Sequence, residues 1–177
     1  TEASGGGFNV LTSPSWMWGF DLTTDNGMNL ISWWGQVDVF TYSYSWAGDP
    51  KAIDKDLFDS MRPDDIRRKQ FAGSYNGVSL LPTNKFFAPA RTIGGQRIVT
   101  TDYLFMRVDE FHLLHAEALA NTGQAAAAKT FLKSFLSNRI TDVSYIDGLS
   151  DVELKAEIYK NVRVEFWGEG KSYLAMK

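Results

Sequence analysis

The chain has 177 residues, 44% hydrophobic and 22% charged, enough for one domain with its own core or for a piece of something larger. Its net charge of −3 comes without a basic tract, which argues against a nucleic-acid partner. Cysteine is absent, so disulfides, thiol nucleophiles and cysteine-ligated metals are excluded, and no apolar run reaches the ~18 residues of a membrane span.

The chain starts at Thr1 rather than Met, carries no signal peptide and stops at Lys177 directly after an apolar stretch, as expected of ends cut from a longer protein. Residues 1–8 contain Gly5, Gly6 and Gly7 and read as a flexible loop. Residues 15–46 hold Trp16, Trp18, Trp33, Trp34 and Trp46, whereas the rest of the chain holds only Trp167. The region mixes these rings with Gly, Asn, Ser and Asp. Short strands are expected at 16–22 and 37–44, joined by loops. A long irregular stretch of this kind is often functional.

Residues 54–61 predict a short helix with Leu57 and Phe58 inward. Pro63, with Asp64 and Asp65, predicts the first turn of another helix, over 65–71. Asn76-Gly77 and Gly94-Gly95 mark turns, with short strands expected at 79–81 and 97–101.

From Asp102 the pattern becomes helical. Thr101 or Asp102 is the expected cap of a helix over 103–121. Leu104, Val108, Phe111, His115 and Ala118 fall on one face, with Phe105 and His112 beside it. Gly123 suits a left-handed helix stop. A second helix is expected over 125–139, packed on the first as an antiparallel hairpin. Ser150 and Glu153 form a capping box that opens a third helix, with Leu154, Ile158 and Val162 buried. Gly168 or Gly170 ends it, and 171–176 begins another turn. One such hairpin resembles a single tetratricopeptide-type unit, and no second copy appears at a fixed spacing.

His112 and His115 could face one way with Glu117 or Asp109, but no third zinc ligand is suitably spaced, so no metal and no cofactor is expected. Asp21, Asp25, Asp38 and Asp49 could supply a glycosidase's carboxylate pair, but no local motif sets an acid beside a nucleophile. Glu117, inside an Ala-Glu-Ala run, is expected to pair with Arg139 or Arg163. The aromatic cluster fits a sugar better. Flat rings cover the apolar C–H faces of a pyranose, and amides and carboxylates take its hydroxyls. Trp33, Trp34, Gln36, Asp38, Tyr42, Tyr44 and Trp46 are therefore the candidate ligand-binding residues, although large aromatics also serve simply as core.

The chain resembles the SusD/RagB family, most specifically over residues 102–177. The family's D-Y-x-x-x-R-x-x-E/D-x-x-L-x-x-A-E-A-L helix is matched by Asp102, Tyr103, Arg107, Asp109 or Glu110, Leu113, Ala116, Glu117, Ala118 and Leu119. Its C-terminal pattern is matched by Arg163, Glu165, Phe166, Glu169, Gly170, Lys171 and Leu174, with Val162 where the first of two arginines usually stands. Ser137, Asn138 and Arg139 echo its next-helix ending, and Leu57, Asp65 and Arg67 an upstream segment. The resemblance implies a mainly α fold: the C-terminal portion of a SusD-like α–α superhelix, with long aromatic-rich loops and a few short strands. It also implies that residues 1–101 face the ligand and residues 102–177 form the scaffold. It further implies a non-catalytic, lipid-anchored protein on the outer-membrane surface, binding glycans for uptake with a SusC-like TonB-dependent transporter. A tetratricopeptide-like protein-interaction scaffold and a glycoside hydrolase are the rival expectations.

Overall fold

The computed structural model describes residues 7–8, 10–28 and 31–176. The chain forms two compact units. One comprises residues 1–55 and 67–106, the other 56–66 and 107–177.

The first unit is loop-rich. Strand β1 (Trp16–Phe20) pairs with β4 (Tyr103–Arg107), and β2 (Gly73–Tyr75) pairs antiparallel with β3 (Val78–Leu81). Asn76 and Gly77 both have positive φ, as the tight turn between β2 and β3 demands, so that turn falls where the sequence marks it. The strand expected at 37–44 does not form. Two short helices flank that segment, α1 (Trp33–Val37) and α2 (Tyr44–Ala47). Ser32 opens α1 by accepting a hydrogen bond from the Gly35 amide at 3.3 Å. Residues 97–101 are likewise irregular rather than a strand. The core here is aromatic. Trp34 and Phe86 are buried, and Trp33 meets both rings edge-on at 4.9 and 4.8 Å.

The second unit is a helical scaffold. Helix α3 (Lys55–Asp59) buries Leu57, while Phe58 stays half-exposed. Helix α4 (Val108–Asn121) starts five residues later than the sequence predicts, because 103–107 is spent on β4. Neither Thr101 nor Asp102 caps it. Arg107 occupies the N-cap position, and the acids Asp109 and Glu110 lie in the first turn, where the helix dipole favours them. Helix α5 (Ala125–Leu136) follows Gly123, whose φ of 78° supplies the left-handed stop. Helix α6 (Asp151–Glu165) has the expected Ser150–Glu153 capping box, and α7 (Ser172–Ala175) the expected final turn.

These helices bury Leu113, Ala116, Ala128, Leu132, Leu136, Leu154 and Ile158 in one core. The buried face of α4 is not the expected one. Val108, Phe111, His115 and Ala118 are exposed, while Asp109, Leu113, Ala116 and Ala120 point inward. Both faces carry apolar residues, so periodicity alone did not choose between them. The deciding residue is Asp109, whose charge is needed inside.

Asp109 belongs to a buried ion cluster. The Glu165 carboxylate receives Arg107 at 2.9 Å and Arg139 at 2.8 Å, and Asp109 bridges the same two guanidinium groups. Glu169 takes two further bonds from Arg107, at 2.9 and 3.0 Å. Burial alone would lower the pKa of Arg107, yet the charges of Glu169, Glu165 and Asp109 hold it well above the usual arginine value. Arg139 therefore pairs with Asp109 and Glu165, not with Glu117. Among the described residues Glu117 makes no hydrogen bond or ion pair, so it pairs with neither Arg139 nor Arg163.

The orientation of α4 can be checked by a pair of substitutions. Leu113 is 1% exposed and Leu114 51%. Leu113→Ala is expected to cost about 2–5 kcal/mol in urea unfolding, and Leu114→Ala less than about 0.5 kcal/mol. A larger loss at Leu114 than at Leu113 would mean the helix is turned the other way.

Candidate aromatic ligand face

The candidate residues divide by burial. Trp34 has 0% exposure and serves the core, and Asp38 is likewise buried, so neither offers an atom to an outside ligand. Trp33 and Gln36 are half-buried on α1. Trp33 is held by the ring contacts already described and by its amide, which donates to the Tyr103 hydroxyl at 3.2 Å. Tyr42, Tyr44 and Trp46 lie around α2, where Tyr44 is 46% exposed.

These three residues do not share a strand face, because the segment is helical from Tyr44. Tyr42, which precedes α2, and Trp46 within it meet face to face, with ring centroids 4.4 Å apart and planes tilted by 31°. The Arg97 guanidinium lies 4.0 Å from the centre of the Tyr42 ring. Two groups this close cannot share one ring face, so Tyr42 sits between the Trp46 indole and the exposed Arg97.

The backbone that holds this stack is a short parallel pairing of Thr41 with Gln96. The Tyr42 amide donates to the Gln96 carbonyl at 2.8 Å, the Gln96 amide to Phe40 at 3.0 Å, and the Gly94 amide to Val39 at 3.0 Å. Gly94 has φ of 62°, and a Cβ there would come within 2.5 Å of the Trp46 ring nitrogen, so only glycine lets this turn close against the indole. Tyr75 adds a bond from its hydroxyl to the Trp46 carbonyl at 3.0 Å.

Asp38 braces the same loop from inside. Its carboxylate accepts from the Phe40 amide at 2.9 Å, the Thr41 hydroxyl at 2.8 Å and the Ala88 amide at 2.9 Å. Burial pushes the carboxyl up to about 6, against those three bonds and the nearby Arg91 charge, which lower it. Asp102 does similar work elsewhere in the unit, accepting from the Leu11 amide at 2.8 Å and the Leu22 amide at 3.0 Å.

The other weighed chemistries find less support. Asp49 pairs with Lys51, Asp21 and Asp25 are exposed, and Asp38 is committed to its loop. His112 and His115 stack on Phe131 at 5.6 and 4.3 Å. No group of three or more metal-ligating side chains is present among the described residues. Nor does any helix among them have the length and apolarity to cross a membrane.

Sequence reasoning missed Arg97 and Gly94 as members of the aromatic stack. The Gly94-Gly95 pair was the available signal, since it marked a turn at the place where backbone meets ring. It also left out Trp18, which is 63% exposed and lies 5.1 Å from Phe105.

The protonation of Asp38 yields a checkable pH dependence. The folded carboxyl titrates at about 6 and the ordinary value is 3.8, so between these pH values the folded chain holds a proton that the unfolded chain has lost. Stability from this group therefore falls as pH rises from about 4 to about 6 and is level on either side. Carbon-13 NMR of the Asp38 carboxyl is expected to show a midpoint near the upper value, and a midpoint below the ordinary value would contradict the buried assignment.

No protein-family profile and no curated protein sequence matches the chain. Among solved structures, a SusD-like carbohydrate-binding protein from Bacteroides vulgatus matches with a TM-score of 0.72 and 25% sequence identity. The match covers 96% of this chain, which spans only 35% of that protein's length. The chain is thus SusD-like, built over almost all of its length on the fold of part of that protein.

Proposed function

We propose that this chain binds carbohydrate without cleaving it, through the face formed by Tyr42, Tyr44, Trp46 and Arg97. The observation that carries the reading is the fold match at a TM-score of 0.72 to a SusD-like carbohydrate-binding protein. The arrangement around α2 is suited to the task. The exposed Tyr44 ring can lie against the C–H face of a sugar, and the Arg97 guanidinium can donate to hydroxyls at its rim. The Trp46 indole adds a half-buried edge beside them. The Tyr42 and Trp46 rings are held before a ligand arrives, by their stack, by Gly94 and by the Asp38 brace, so little ordering entropy is lost there on binding.

In this reading the loop-rich residues 1–101 face the ligand and residues 102–177 are scaffold. The resemblance to the SusD/RagB family extends the proposal. The longer protein would be lipid-anchored at the outer-membrane surface and deliver glycans to a SusC-like TonB-dependent transporter.

Affinity electrophoresis through gels containing soluble polysaccharides tests the binding claim. At least one neutral polysaccharide should retard the chain. Tyr44→Ala and Trp46→Ala should each weaken binding by about 1–2 kcal/mol, or roughly five- to thirtyfold. Trp18→Ala, remote in sequence from this cluster, should leave retardation unchanged. Absence of retardation in every gel would sink the proposal, and release of reducing ends would favour the hydrolase instead.

A further inference from the structure

A groove on the helical unit has no part in the proposed glycan face. It runs between α4 and α6 and is capped by α7. Two adjoining cavities form it, of about 310 and 140 Å³. They share Glu117, Val162 and Ala175, so they are continuous. The floor is apolar, made by the buried Leu113, Ile158, Val162 and Phe166. Leu114 and Leu174 stand exposed at the rim.

The charges around this floor are unevenly matched. At one end Glu110 is neutralised by Lys171 at 3.0 Å. At the other end Lys155 is exposed. Between them the half-buried Glu117 has no hydrogen bond or ion pair with any described residue, Lys155 included. A carboxylate partly withdrawn from water and left unpartnered is unfavourable, and its attraction for a cation is strengthened by the apolar walls.

We infer that this groove receives an arginine side chain from a partner polypeptide, its guanidinium on Glu117 and its aliphatic stem along Leu114 and Val162. The chemistry selects the occupant. A sugar would find few hydrogen-bonding groups along the floor. A purely apolar side chain would leave Glu117 unpaired. Arginine joins a long apolar stem to a planar, weakly hydrated cation that meets a carboxylate through two parallel bonds.

N-acetyl-arginine-methylamide, which presents the side chain between two peptide groups, is the probe. Methyl NMR of the whole chain should show saturable shifts at Leu113, Leu114 and Val162. The citrulline analogue has the same shape without the charge, and should bind about tenfold more weakly or less well still. Glu117→Gln, at a half-exposed position that leaves the core intact, should bring the arginine compound down to the citrulline level. Equal binding of the two compounds, arginine binding unchanged in Glu117→Gln, or no methyl shifts would each overturn the inference. Tighter binding of butylammonium than of the arginine compound would also overturn it, by assigning the groove to free alkyl cations.

Discussion

Two arginines and three carboxylates share one buried cluster in the helical unit, and the arrangement of its helices depends on keeping them paired. Arg107 stands at the start of α4, Arg139 just beyond the end of α5, and Glu165 at the end of α6. Moving any one of these chain segments leaves a charge out of water without a partner, at a cost of about 3–5 kcal/mol. The helix dipoles reinforce part of the pattern. Asp109 sits in the first turn of α4, and Arg139 donates to the Phe135 carbonyl near the end of α5 at 3.0 Å. Glu165 lies at the wrong end of α6 for its charge, and the two guanidinium groups it receives offset that. A cluster of this kind specifies geometry more than it adds stability, since a well-packed apolar substitute can be equally stable. The Leu, Ile and Ala core supplies the bulk of the burial, and the ions fix which faces meet.

The loop-rich unit reaches order by another route. It has two small two-stranded sheets and short helices, so many of its backbone amides lack a regular ladder. Buried carboxylates supply the missing acceptors. Asp38 gathers Phe40, Thr41 and Ala88, and Asp102 gathers Leu11 and Leu22. Both aspartates are therefore structural, and Asp38 steadies the loop that carries Tyr42 and leads into α2. This division explains how an irregular segment can present a rigid face: the polar groups turn inward to hold the backbone, while Tyr44 and Arg97 remain at the surface.

Features that depend on near neighbours were legible in the sequence. The Ser150–Glu153 box, the Gly123 stop and the Asn76-Gly77 turn each act within a few residues, and each stands where it was expected. The Leu154–Ile158–Val162 stripe was equally plain, because its opposite face is polar. Helix α4 misled for the converse reason. Its apolar residues encircle it, and the buried Asp109 counts against the correct face in any hydrophobic pattern. Of the two arginines that pair with Asp109, Arg107 is two residues away but Arg139 is 30, and the burial of the group follows only from the tertiary cluster. Several residues that carried the family resemblance, among them Arg107, Asp109, Arg139, Glu165 and Glu169, prove to be the members of that cluster. The motif was readable as a pattern, and its physical cause only as a structure. At the proposed ligand face, composition marked residues 33–46 as the candidate stretch, and burial then separates Trp34 from Tyr44, two aromatic residues that the sequence treats alike.

The central claim is that a sugar meets the rings around α2 and not the core rings beside them. Indole N–H resonances distinguish these cases directly, because each tryptophan gives its own signal. Titration with a retarding polysaccharide is predicted to shift the Trp46 signal saturably and to leave the Trp34 signal in place. Movement of neither, or a response confined to Trp18 or Trp167, would contradict the account.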